Sequence, residues 1–263
     1  MRLEGKVAIV VGAGQTPGET IGNGRATSIL MAREGARVML VDRRLDSAQE
    51  TEKMIRDEGF DAVSFEADVT KASDCEALSK AAVDQFGRID ILHNNVGIGA
   101  GDASAIKIEE RNWDRIMDVN LKSMLLTCKH VLPVMREQGS GSVVNISSVA
   151  AVAAVPLMAY KVSKAAVNAF TQQIAMANAK HGIRCNAIMP GLMNTPMAIE
   201  AWVAMGADRD EIVKARDSQV PLGAKQGTAW DIAHASVFLH SDEAKFITGV
   251  LLPVDGGQSI KVG

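Results

Sequence analysis

Residues 6–42, KVAIVVGAGQTPGETIGNGRATSILMAREGARVMLVD, decide the fold. Val7 to Val11 is an unbroken apolar run, the pattern of a strand covered on both faces. Glycines follow at Gly12 and Gly14 and again at Gly22 and Gly24, and from Gly24 to Glu34 apolar residues recur at helical spacing. Arg37 to Val41 then reads as a second strand, with Asp42 at its end. Strand, glycine turn, helix and strand make a βαβ unit. The two strands are parallel, because a helical crossover returns the chain to the same edge and does so with a right-handed turn.

The same alternation runs outward through the chain. Ala62 to Glu66, Ile89 to Asn94, Ser142 to Ile146, Ile183 to Met189 and Val250 to Val254 read as further strands. Asp46 to Glu58, Ser73 to Phe86, Asn112 to Glu137, Ala159 to His181 and Thr228 to His240 read as helices between them. Seven strands and an irregular, Met-rich stretch before Gly227 disfavour an eight-fold (β/α) barrel, which needs eight similar units. No linker, repeat or low-complexity tract divides the chain. The expected architecture is a single α/β domain over 1–263: a doubly wound, seven-stranded parallel sheet with helices on both faces. Residues 193–223 form an excursion over the carboxyl edge of the sheet, where open α/β sheets bind ligands.

Composition excludes several function classes. The 263 residues carry 28 Lys and Arg against 31 Asp and Glu, a net charge of -3, so no basic field exists to hold nucleic acid. Cys75, Cys128 and Cys185 are odd in number and far apart, and the five histidines form no ligand spacing; no disulfide framework and no metal site are expected. The apolar run at the N-terminus is shorter than a signal-peptide core, and the longest weakly polar stretch, 149–155, is far below the roughly 18 residues of a membrane span. A cytoplasmic protein without a membrane partner fits. Tyr160 is the one tyrosine in the chain.

Two clusters carry chemistry. Gly12, Gly22, Asn23 and Gly24 let the backbone turn tightly, and the helix that follows presents free N–H groups and a positive dipole end to an anion. Asp42 stands close to the spacing at which an acid accepts hydrogen bonds from an adenosine ribose, so the combination points to a dinucleotide. Tyr160 and Lys164 are four apart and share one helix face. An ammonium beside a phenol favours the phenolate, so Tyr160 reads as a general base with a lowered pKa. Asn145-Ile146-Ser147-Ser148, at the end of a strand, places a hydroxyl at the same sheet edge.

With these residues in place, the chain resembles the short-chain dehydrogenase/reductase family over nearly its whole length. The motifs that carry the resemblance, in order, are the glycine turn, Asp68-Val69, Asn94-Asn95-Val96-Gly97, Asn120 within Val119-Asn120-Leu121, and Ser148. Tyr160-x-x-x-Lys164, Pro190-Gly191, Thr195-Pro196-Met197 and Val254-Asp255-Gly256-Gly257 complete them. The resemblance implies a Rossmann-type fold, NAD(P)-dependent oxidation of an alcohol or reduction of a carbonyl, and a homotetramer or homodimer built on the helices at 112–137 and 159–181. It implies that Tyr160 moves the alcohol proton and that Lys164 lowers the phenol pKa and holds the nicotinamide ribose. Ser148, rather than Ser147, hydrogen-bonds the substrate oxygen, and Asn120 anchors a water that relays protons from Lys164.

On the cofactor side, the resemblance implies adenine contacts from Asp68 and Val69, a sheet-edge stabiliser in Asn94 and a cofactor wall at Gly97. Pro190, Gly191 and Met193 follow along the cofactor, and Thr195 contacts the carboxamide. Asp42 would repel a 2′-phosphate, which favours NAD over NADP; Arg43 beside it reads mainly as solvated charge. The first turn departs from the family pattern, with Ala13 to Ile21 between the glycines, about six residues more than needed. Either the extension is a tolerated surface loop, or Thr16 or Thr20 brings a hydroxyl to the pyrophosphate. Met158, Met193, Met197, Trp202, Val203 and Met205 suit an apolar pocket for a cyclic, aromatic or steroid-like alcohol or ketone. The alternatives are an NADPH-dependent ketoester reductase and a catalytically silent dinucleotide-binding protein.

Overall fold

The computed structural model describes residues 1–153 and 155–261. Seven strands form one parallel sheet: β1 Val7–Val11, β2 Arg37–Asp42, β3 Ala62–Glu66, β4 Ile91–Asn94, β5 Gly141–Ile146, β6 Ile183–Pro190 and β7 Leu251–Val254. Their order is β3-β2-β1-β4-β5-β6-β7. β1 pairs with β2 on one side and β4 on the other, Val11 facing both Val41 and Asn94. The chain reverses its direction of winding between β1 and β4, which opens a crevice at their carboxyl ends.

The period of two along β1 builds the layers. Ala8 and Val10 face a core shared with helices α1 Asn23–Arg33, α2 Leu45–Asp57 and α9 Ala229–His240. Ile9 and Val11 face the opposite core, shared with α3 Ala72–Phe86, α5 Ser123–Gln138 and α6 Met158–Asn178. Every β1 residue is buried, as expected of a central parallel strand. No helix among the described residues is long and apolar enough to cross a membrane; the 149–155 stretch includes position 154, which lies outside the described residues.

Two expectations need correction. The helix expected over 112–137 is α4 Glu110–Met117, a π-helical turn at Asp118–Lys122, and α5. The side chain of Asn120 is tied to a neighbouring loop here, and Ser123 Oγ donates to Val119 O at 2.6 Å, so the regular ladder is interrupted. The excursion at 193–223 is not irregular: it carries α7 Pro196–Ala204 and α8 Arg209–Asp217. Pro196 opens α7 at a position where a missing N–H costs nothing, and Asp208 Oδ1 caps α8 by accepting from Glu211 N at 2.9 Å. The chain rejoins the body through a parallel bridge between Met193 and Gly227.

Candidate active site

At the carboxyl end of β1, Gly12 has φ +81, a conformation that favours glycine. Gly24 opens α1 so close to it that a Cβ would stand 1.9 Å from Gly12 O. Asn95 Nδ2 donates to the same carbonyl at 3.1 Å and fixes the crevice from the β4 side. Gly22 is the N-cap of α1, and no side chain caps the first turn, so its N–H groups stay free for an anion. Thr20 Oγ1 and Asn23 Oδ1 are buried beside this turn without a partner. The Thr20 hydroxyl, which can donate, and the glycine cradle fit the pyrophosphate of a dinucleotide.

Asp42 sits at the end of β2, where Oδ2 accepts from Gly14 N and Oδ1 from Arg44 N, both at 3.0 Å. Its carboxylate is therefore held in place by two backbone donors. Arg43 is exposed. Asp68 Oδ1 accepts from Thr70 Oγ1 at 2.7 Å, and this bond holds its carboxyl below the usual range against the opposing effect of burial. Val69 is buried next to it. Asn94 cross-links the sheet: Nδ2 donates to Asn145 Oδ1 and Oδ1 accepts from Thr127 Oγ1, each at 2.9 Å. Pro190 ends β6, Gly191 N donates to Val254 O at 3.0 Å, and buried Met193 and Thr195 lead into α7. The extended loop is anchored at its base, Gln15 N donating to Ser47 Oγ at 2.9 Å and Gln15 Oε1 accepting from Gly22 N at 2.8 Å. Thr16 is exposed, whereas the Thr20 hydroxyl turns inward.

Ser148, Tyr160, Lys164 and Asn120 meet at the edge formed by β4, β5 and α6. Ser147 is buried and its hydroxyl donates to Lys164 O at 3.0 Å, so it is a structural link between β5 and α6. Ser148 Oγ accepts from Ala150 N at 3.1 Å and lies close enough to the Tyr160 phenol to work against the rise in its pKa. This separates the roles of the two serines.

Lys164 is 2% exposed, and its Nζ donates to Ile146 O at 2.8 Å. Nζ lies 5.7 Å from the centroid of the Tyr160 ring and directly beneath Gly97, where a Cβ would be 3.1 Å from it. Burial pushes the Lys164 pKa down to about 8, so the ammonium form persists at neutral pH. The lowered phenol pKa expected from the sequence is not found. Burial raises the Tyr160 pKa above its ordinary value, and only the Ser148 hydrogen bond works against this. The Lys164 ammonium is committed to Ile146 O and lies beside the ring.

Asn120 is fully buried with every side-chain hydrogen bonded: Oδ1 accepts from Ile98 N at 2.7 Å, and Nδ2 donates to Ile98 O at 2.9 Å and Ser163 Oγ at 3.0 Å. A contact to water would fall to its main chain, within the π turn. Three contributors were not read from the sequence. Ser163 supports Asn120 and donates to Tyr160 O at 2.7 Å; its place inside the Tyr160 to Lys164 interval was the available signal. Asp102 accepts from Tyr160 N at 2.8 Å through Oδ2 and from Ala159 N at 3.1 Å through Oδ1, so a loop after β4 holds the first turn of α6. Gln15 braces the glycine turn. Neither Asp102 nor Gln15 has a spacing signature.

The arrangement can bind a dinucleotide along the β1/β4 crevice and hold a phenol and a hydroxyl where the nicotinamide end would lie. Comparison with known proteins agrees. A family model described as enoyl-(acyl carrier protein) reductase matches residues 19–259. The 2,5-dichloro-2,5-cyclohexadiene-1,4-diol dehydrogenase of Sphingobium indicum is 36% identical, over 99% of this chain and 99% of its own. A crystal structure of a short-chain dehydrogenase/reductase from Burkholderia xenovorans superposes with TM-score 0.95 at 37% identity, covering 100% of this chain and 99% of that one. NAD+-bound xylitol dehydrogenase superposes with TM-score 0.88 at 31% identity, covering 98% and 100%.

Proposed function

The chain belongs to the short-chain dehydrogenase/reductase family of oxidoreductases acting on CH–OH groups, and on that premise we propose that it interconverts a hydrophobic secondary alcohol and its ketone with NAD. The observation that carries the reading is the convergence of Ser148, the Tyr160 phenol and the buried Lys164 ammonium, its Nζ 5.7 Å from the ring centroid, at the mouth of the dinucleotide crevice. A silent binding protein needs the glycines and Asp42 alone.

When bound, the nicotinamide dinucleotide supplies the hydride donor or acceptor. Gly12, Gly22, Asn23 and Gly24 would hold its pyrophosphate, Asp42 one ribose and Lys164 the other. Asp68, Val69, Asn94, Gly97, Pro190, Gly191, Met193 and Thr195 would line the remaining length. An ammonium has three N–H donors, and Ile146 O uses one of them. Ser148 orients the substrate oxygen and stabilises the charge that develops on it. Tyr160 gives its phenolic proton to that oxygen in reduction and takes the hydroxyl proton in oxidation. A phenol of ordinary pKa is already protonated at neutral pH, and burial moves that pKa further upward, so oxidation gains as the pH rises.

Asp42 supports NAD, since its fixed carboxylate opposes a 2′-phosphate. Exposed Met197, Trp202 and Met205 on and beside α7 support an apolar substrate, and the diol dehydrogenase relative acts on a substituted cyclohexadiene. A groove lined by Met117, Leu121, Leu125, Ala166 and Phe170, with Leu125 half exposed, supports a homodimer or homotetramer through α5 and α6. The three free, buried cysteines suit a cytoplasmic protein. A second reading is an NADPH-dependent reductase of carrier-bound 3-oxoacyl groups, which similarity to a 3-oxoacyl-[acyl-carrier-protein] reductase of Thermotoga maritima, 35% identical over 98% of this chain, favours. A panel of cyclic and aromatic secondary alcohols, ketones and a 3-oxoacyl thioester, assayed with both cofactors by reduced-cofactor absorbance, separates the two. Turnover of the apolar ketones with NADH is expected; turnover confined to the thioester with NADPH would overturn the first reading.

A further inference from the structure

The loop that lengthens the glycine turn does not end in solvent; it reaches the helices that cover the site. Gly18 lies flat against α7, where a Cβ would be 2.4 Å from Glu200 Oε1. Next to it, Glu19 Oε1 is 3.2 Å from Arg209 Nε, and Arg209 Nη2 donates to Glu200 Oε2 at 2.7 Å. Arg209 is the first residue of α8 and Glu200 lies within α7. One guanidinium thus joins three segments: the loop, α7 and α8. The Glu200 end is largely shielded, its side chain 17% exposed, whereas Glu19 is 72% exposed. At its other end the loop is fixed to Asp42 and Ser47 through Gly14 N and Gln15 N, so it crosses the crevice from the ribose acid to the substrate cover.

We propose that Arg209 is a positioning residue that straps this loop onto α7 and α8 and so retains the bound dinucleotide. The inference rests on the dinucleotide reading above. Thr20, the residue after Glu19, carries the orphaned inward hydroxyl, so the strap also holds that group over the crevice. Cofactor release then requires the loop and the cover to part, which breaks the Glu19–Arg209 contact, while the Glu200–Arg209 contact within the cover keeps the guanidinium aimed at the loop.

The test is the rate of NADH release from the intact protein, followed by stopped-flow fluorescence. Arg209→Gln should release NADH about tenfold faster, the weight of a charge-assisted contact. Glu19→Gln, at an exposed position with no role in the core, should accelerate release by no more than about fivefold. Added sodium chloride should speed release from the wild type and from Arg209→Lys and have little effect on Arg209→Gln, a response that general loosening of α8 would not produce. If the wild type binds NADH and both neutral variants release it at the wild-type rate, the strap is overturned while the dinucleotide reading stands. If the wild type binds no dinucleotide, both fall.

Discussion

Replacing Asp42 by Ala tests how the protein chooses its cofactor. The carboxylate is held by Gly14 N and Arg44 N at 3.0 Å each, so its position at the end of β2 is set before any ligand arrives. Hydrogen bonds from ribose hydroxyls to a carboxylate are worth about 1.5–3 kcal/mol, and their loss lowers kcat/KM with NAD by about tenfold to a hundredfold. The same substitution removes a like charge from the position of a 2′-phosphate. At about 4 Å that repulsion is about 1 kcal/mol in water and about 4 kcal/mol at an effective dielectric constant of 20, so NADP gains about fivefold or more. The ratio of kcat/KM for NAD to that for NADP should fall by about fiftyfold or more. Loss of the Gly14 bond loosens the loop for both cofactors and cancels in the ratio. Both values come from initial rates with one substrate, and a ratio within about threefold of the wild type would refute the assignment of Asp42.

Further outcomes follow from burial. Because Tyr160 is the sole tyrosine, the ultraviolet tyrosinate signal reports it alone. Its midpoint in the free protein should lie above the ordinary value of about 10. Ser148→Ala should move it higher still, and a midpoint unchanged by this substitution would remove Ser148 as the phenol's partner. His93 is fully buried beside His240, Nδ1 to Nε2 at 3.5 Å, and burial pushes its pKa down to about 3. The unfolded chain, with His93 near 6.5, binds the proton that the folded protein refuses. Stability should therefore be complete above about pH 6.5 and fall by about 1.4 kcal/mol per pH unit from this group as the pH drops toward 3. Denaturant titrations at a series of pH values should give a slope shallower by that amount in His93→Leu; an equal slope would contradict the assignment.

Legibility in the sequence followed the range of the interaction. The βαβ alternation, the close approach of Gly24 to Gly12, and the shared face of Tyr160 and Lys164 all arise within one turn or one crossover, so period and glycine placement expose them. Groups brought together by tertiary closure left no pattern. Asp102 reaches Tyr160 N across 58 positions, and Glu19 meets Arg209 only because α8 folds back over the sheet edge. The π turn at Asn120 reads as ordinary helix, since the backbone partner of its side chain, Ile98, lies outside the helix. The sign of the Tyr160 shift was also hidden. Spacing places an ammonium near the phenol, but it shows neither the depth of burial nor the Ile146 carbonyl that occupies Lys164 Nζ. Both serines of Ser147-Ser148 look alike in sequence, and only the direction of each hydroxyl separates the structural residue from the one facing the phenol.

Tyr160 is proposed to move the proton at a site that binds the dinucleotide independently of it. Tyr160→Phe, assayed for turnover of the best alcohol or ketone alongside NADH affinity by fluorescence, tests it directly. Positioned acid–base groups contribute about 10²–10⁴-fold. Turnover should fall by that range or more, with NADH affinity within about threefold of the wild type. Turnover within tenfold of the wild type, with NADH still bound, would contradict it.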